Sequence, residues 1–156
     1  DRMVQKQYLA NCQGSMTVAT GRVLHAYTKK TKSKKPGMLR AFDEDIVSGQ
    51  NARYQRAEME ILSLEPREST TLVNINLVTG RTHQIRLQCS ALGNPIVGDT
   101  RYAPVTGQLG TLDVDSEDVF GEEPDAIQLK CMRLVFHEKA KLPFETLEVS
   151  SPNNWK

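Results

Sequence analysis

Three cationic or titratable side chains, Arg81, His83 and Arg86, fall within the segment "GRTHQIR". The residues after them are apolar at helical intervals, with Ile85, Cys89 and Leu92 spaced by four and three. On a helix that starts near Thr82, used as its N-cap, His83 and Arg86 share a face. Arg81 stands at the helix entrance, where unsatisfied backbone N–H groups favour an anion. Spacing alone leaves two readings open. The cluster is an anion or carboxylate site, or it is a solvated helix face.

The elements that must position these residues are mostly strands. "VQKQYLANC" puts Val4, Lys6, Tyr8, Ala10 and Cys12 on one face of an extended segment. Residues 16 to 27 read as a short strand pair broken near Gly21. Alternation returns from Arg53 to Leu64 with one slip, the mark of a bulge. A turn over Pro66 to Ser69 then leads into Thr71 to Val78, completing an antiparallel hairpin. Gly93 suits the helix C-cap, and Asn94-Pro95 breaks the helix into a tight "GDTRYAP" loop. Ile127 to Phe136 and Phe144 to Val149 supply two more strands. The fold class expected is α+β, a mixed and mostly antiparallel sheet with flanking helices.

The 156 residues suit a single domain. No apolar run is long enough to span a membrane. The net charge of +1 hides two opposed blocks. Lys29, Lys30, Lys32, Lys34 and Lys35 lie in a loop at 28–37, and an acidic insertion without periodicity occupies 107–126. Cys12, Cys89 and Cys131 form no CxxC pair, so reduced thiols in an intracellular protein are expected, in cytoplasm, mitochondrion or plastid. No metal-ligand spacing links His25 or His137 to these cysteines. An opening Asp1 in place of Met suggests a fragment or a processed form.

"TGRTHQIR" followed by "ALGNPIVGDTRY" resembles the RluA-like family of RNA pseudouridine synthases. The chain agrees with that signature from Gly80 to Tyr102, and "KQYLA" and "LVFHEKAKLPFETLEVSSPNNW" resemble its flanking segments. The resemblance implies the pseudouridine synthase fold, here without its N-terminal part, and a uridine in rRNA or tRNA as substrate. It implies no metal and no cofactor. Arg86 matches the arginine that pairs with an essential aspartate, and Tyr8 matches the tyrosine that stacks on the target base and helps remove the C5 proton. Arg81, Thr82, His83 and Gln84 are the expected RNA-facing residues of the signature.

One departure is large. The family's aspartate belongs to an R-L-D-x-x-T-S-G motif upstream of the Tyr8 strand, and nothing in these residues resembles it. Asp99 is expected instead to accept backbone N–H bonds in its own turn. The nucleophile is therefore expected in an upstream part, in this or another chain, and this chain alone should be inactive. The rival is a non-catalytic RNA-binding or ribosome-associated protein on the same fold. The lysine loop is either a track for RNA phosphates or a solvated loop. If it is a track, changing its five lysines to Gln flattens the salt dependence of RNA binding by up to about five counterions. An unchanged slope in a salt titration makes the loop solvated decoration.

Overall fold

From Thr70 to Leu77 every second residue is apolar or small, and Thr71, Val73 and Ile75 are buried while their neighbours are half-buried. Such alternation commits one face of a strand to a core. The computed structural model describes residues 4–28, 39–41, 54–102, 127–136 and 147–150. It contains strands β1 (Val4–Gln13), β2 (Gly21–Thr28), β3 (Leu39–Ala41), β4 (Tyr54–Pro66) and β5 (Thr70–Leu77), helix α1 (Gln84–Ala91), and strands β6 (Leu129–Phe136) and β7 (Leu147–Ser150). The strands form one sheet in the order β3-β2-β4-β5-β1-β6-β7.

Every neighbouring pair among the described strands is antiparallel, so the expected mixture with parallel strands is not seen there. Registry stacks the apolar positions of adjacent strands on one face: Ala10 opposite Val73, Tyr8 opposite Ile75, and Ile75 opposite Ile61. Helix α1 covers this face. Ile85 and Cys89 enter a core with Ala10, Cys12, Met16, Met59, Ile61, Val73, Ile75 and Ile96. Leu87 enters a second cluster with Tyr27, Ala57 and Tyr102. On the other face of the sheet Glu58 pairs with Arg22 and Arg56.

Most expected elements form close to their expected bounds. The slip in β4 is a register shift between Ile61 and Ser63. Residues 16 to 27 are not a strand pair; a single strand begins at Gly21, whose φ of 117° ends the irregular segment before it. Among the described residues α1 is the only helix. The lysine loop and the acidic insertion lie outside the described residues.

A polar seam runs beneath α1. Gln88, wholly buried, accepts a hydrogen bond from Gln84 Nε2 (2.9 Å) and donates from Nε2 to Val23 O (3.4 Å) and His25 Nδ1 (3.1 Å). His25 Nδ1 is thus an acceptor and the ring is neutral. Burial lowers its pKa below the ordinary value, because a desolvated imidazolium is disfavoured. The unfolded chain takes up this proton near pH 6.5, whereas the folded one resists it to lower pH. Stability is therefore complete above about pH 6.5 and declines as the pH falls, by at most about 1.4 kcal/mol per pH unit for this one group. Denaturant melts of the wild type and His25→Gln from pH 7.5 to 5 should show a shallower decline in the variant.

Candidate active site

The segment after β5 is tied down at once. Val78 N and Thr79 N both donate to Glu58 O, at 3.1 and 2.9 Å. Gln84 completes the attachment. Its Oε1 accepts from Thr79 Oγ1 (2.8 Å) and Arg81 N (2.9 Å), and its Nε2 donates to Glu58 O (3.0 Å) and Gln88 Oε1 (2.9 Å). A buried amide with all four bonds satisfied is a staple. Gln84 is 2% exposed, so its expected place among the RNA-facing residues is corrected: internal bonds consume its polar groups.

Thr82 is not the N-cap. That position is taken by His83, in the left-handed region at φ 54°, ψ 26°, without a side-chain cap bond. The conformation costs a non-glycine residue roughly 1–2 kcal/mol. It takes His83 out of helical phase and turns the ring onto Tyr102, with Nδ1 2.8 Å from Oη and the rings edge-to-face at 5.7 Å. His83 and Arg86 do converge, but through Tyr102 rather than through a shared helix face. The Arg86 guanidinium lies 4.8 Å from the centre of the same ring.

Arg86 is 8% exposed and makes a bidentate pair with Asp99: Nε to Oδ2 and Nη2 to Oδ1, both at 2.8 Å. Asp99 Oδ1 also accepts from Tyr102 N at 3.2 Å, as expected of a turn aspartate. Ser90 Oγ donates to Tyr102 O, and Tyr102 is 3% exposed. Burial raises the Tyr102 pKa, against the opposing influence of Arg101 and Arg86, so the phenol stays protonated as a hydrogen-bonding group. Asp99 and Tyr102 are the residues that the sequence did not assign to the site. Their signal was the fixed spacing of Asp99 and Tyr102 in "GDTRY" behind an arginine-bearing helix.

Tyr8 lies on β1 where the pairing with β6 slips between Gln7 and Tyr8, so that Gln7 faces Arg133 and Tyr8 faces Cys131. Such a bulge re-aims the side chain beside it. Tyr8 packs, half-buried, against the cluster that contains Ile85 and Cys89, so it shares the α1 side of the sheet. Burial, and then the hydrogen-bonded Cys131 thiol, hold its hydroxyl above the ordinary pKa. Of the remaining expected RNA contacts, Thr82 is exposed and His83 half-buried. Arg81, also half-buried, donates through Nε to Arg56 O at 3.1 Å. Lys29, Lys30, Lys32, Lys34 and Lys35 lie outside the described residues.

A single antiparallel sheet backed by the signature helix, with Tyr8 and Arg86 on that side, defines a class. The family model for RNA pseudouridylate synthase matches residues 1–91. The chain belongs to the RNA pseudouridylate synthase family, and its RluA-like character is supported by the relatives it matches. It is 34% identical over 105 residues to RNA pseudouridylate synthase domain-containing protein 1 of Danio rerio, covering 66% of this chain and 35% of the relative. It is 46% identical over 52 residues to the dual-specificity RNA pseudouridine synthase RluA of Vibrio cholerae, covering 33% of this chain and 18% of that one. The solved structure of Human RNA Pseudouridylate Synthase Domain Containing 1 matches the fold with a TM-score of 0.61 at 24% identity, over 97% of this chain and 55% of its own. The chain spans 35% of the length of the first curated relatives it matches.

Replacing only Arg86 strands a carboxylate whose side chain is 0% exposed. Arg86→Met should lower the stability of the intact protein by about 3–5 kcal/mol. Arg86→Met combined with Asp99→Asn removes both charges and should recover a large part of that loss. Chemical denaturation of the two variants checks this; equal losses would mean the pair is not a closed electrostatic unit.

Proposed function

We propose that the intact protein containing this chain isomerises a uridine within rRNA or tRNA to pseudouridine. In this reading the N1–C1′ glycosidic bond breaks, the uracil turns, and a C5–C1′ bond forms. The C5 proton leaves and N1 regains one, so atoms and electrons balance without an oxidant. Tyr8 stacks on the target base, offsetting part of the stacking lost when the base leaves its helix. Its hydroxyl is proposed to help remove the C5 proton.

The observation that carries the reading is Arg86, a buried cation held rigidly on the Tyr8 side of the sheet. Asp99 uses Nε–H and one N–H of Nη2. A guanidinium has five N–H donors, so the remaining ones serve further partners. The essential aspartate, expected in an upstream part of the domain, is proposed to pair with Arg86 as well. An arginine fork fits a carboxylate there and favours its ionised form. Arg81, Thr82 and His83 line the approach to α1 and are proposed to meet RNA, together with the lysine loop.

The intact protein, incubated with rRNA and tRNA, should produce pseudouridine detectable by chemical labelling, whereas the 156-residue chain alone should produce none. Arg86→Met should abolish turnover while weakening RNA binding far less, and Arg86→Lys should rescue little, because a point charge does not reproduce the planar fork. RNA binding by an intact protein that forms no pseudouridine would establish the non-catalytic rival.

A further inference from the structure

We propose that Arg22 and Arg56, on the face of the sheet opposite α1, clamp one backbone phosphate of the substrate RNA. The inference rests on the functional reading above and adds to it a contact on the face that does not carry Tyr8.

The face follows from alternation. Ala57 and Met59 enter the cores beneath α1, so Arg56 and Glu58 point to the other side. Register places Leu24 opposite Glu58 and Ala26 opposite Arg56, and Arg22 lies two residues before Leu24 on the same face. Glu58, 8% exposed, is the hub. Its Oε1 accepts from Arg22 Nε and its Oε2 from Arg56 Nη2, so one carboxylate holds two guanidiniums. The side chains of Arg22 and Arg56 remain 56% and 40% exposed.

One anion cannot neutralise two cations. Nor does it exhaust them, since a guanidinium has five N–H donors. Arg56 Nε is covered and finds no acceptor among the described residues. The cluster keeps an excess of positive charge, with two guanidiniums that reach solvent. Exposed ion pairs add little stability, so stability alone is a poor account of the arrangement. A phosphate suits it. Guanidinium forks present parallel N–H groups to phosphate oxygens, and Glu58 holds both forks in place beforehand. The row beside the cluster is polar too: Arg22 stands opposite Glu60, Glu60 opposite Asn76, and Asn76 opposite Gln7. Such a row suits a hydrated strand better than an apolar layer.

The clamp is tied to the candidate active site through the same residue. Glu58 O accepts from Val78 N, Thr79 N and Gln84 Nε2, and Arg81 Nε donates to Arg56 O at 3.1 Å. Glu58 therefore anchors the signature segment with its backbone and the arginines with its carboxylate. β1, which carries Tyr8, lies two strands from β4, about 10 Å at the usual spacing. Tyr8 and Glu58 both lie toward the end of the sheet where β5 stops at Leu77, opposite Met59 on one side and Lys6 on the other. An RNA strand that crosses this end presents a base to Tyr8 and a nearby phosphate to the clamp.

The test uses the intact protein with its upstream part and a uridine-containing RNA stem-loop, followed by fluorescence anisotropy over a salt series and by turnover. Arg22→Gln combined with Arg56→Gln should weaken binding about tenfold at low salt. Its salt slope should fall by about one counterion. KM should rise while kcat stays within about twofold of wild type, as for a contact made equally before and during reaction. Arg67→Gln, at the opposite end of β4, should leave the slope unchanged. A folded double variant with wild-type affinity and slope overturns the proposal, as does an equal fall in slope from Arg67→Gln. Should the double variant fail to fold, Arg22→Lys with Arg56→Lys keeps both charges beside Glu58. Affinity should then fall severalfold at an unchanged slope, because the forks are lost; unchanged affinity overturns the clamp. Inorganic phosphate equimolar with the RNA phosphates should not compete, since it lacks the other contacts of a strand. Competition would identify free phosphate as the ligand and overturn the assignment to RNA. A wild type that binds the stem-loop but makes no pseudouridine sinks the functional reading by itself, while a lowered slope in the double variant still upholds the clamp.

Discussion

Arg86 and Asp99 cannot be buried separately. An isolated charge of either sign beneath α1 would cost several kcal/mol, so the helix and the loop after it must dock together or not at all. That constraint organises the core end of the molecule. Once the loop is placed against α1, Tyr102 closes over the guanidinium, Ser90 fixes the Tyr102 carbonyl, and His83 is drawn onto the phenol. The left-handed turn at His83 becomes tolerable because several independent contacts demand it.

The glutamine pair Gln84 and Gln88 performs a similar task toward the sheet. Helix α1 has only eight residues and no acidic side chain in its first turn. A helix this short is marginal by itself and takes its stability from packing. Here packing comes with a polar lock that runs from Thr79 and Glu58 through both amides to His25. The lock fixes translation along the sheet, which apolar contacts from Ile85, Leu87 and Cys89 would specify less sharply. A family signature that reads like a string of ligand contacts is thus partly internal scaffolding. Gln84 holds the loop, and of Arg81, Thr82 and His83 only Thr82 is exposed.

Tyr8 shows how the sheet contributes. Regular pairing with both β5 and β6 would fix its direction by simple alternation. The slip beside it on the β6 side alters the local twist at the one position where the resemblance implies stacking on a base. β1 is paired on both sides, which makes the strand that carries this irregularity rigid.

The strands were legible in the sequence because burial on one face imposes period two, and α1 was legible because Ile85, Cys89 and Leu92 impose its longer period. The bulge in β4 left a visible slip in that pattern. The family was legible too, because "GRTHQIR" and "GNPIVGDTRY" are strings whose composition no generic helix requires. Periodicity could not separate residues 16 to 27 into irregular chain and strand, since Gly21 acts through its dihedral angle and not through hydrophobicity. Nor could spacing identify the partner of Arg86. Asp99 stands thirteen positions away, beyond any helical or strand neighbour relation. The turn of the loop and its pairing with β1 bring them together, and only the folded chain contains that geometry. Gln84 and Arg86 look alike in the sequence, two polar residues in one motif. The sequence determined that a sheet, a short helix and a charged signature would occur together. Tertiary structure decided which signature residues turn inward as scaffold and which cation is paired beneath the helix, because burial and partner geometry are properties of the assembled layers.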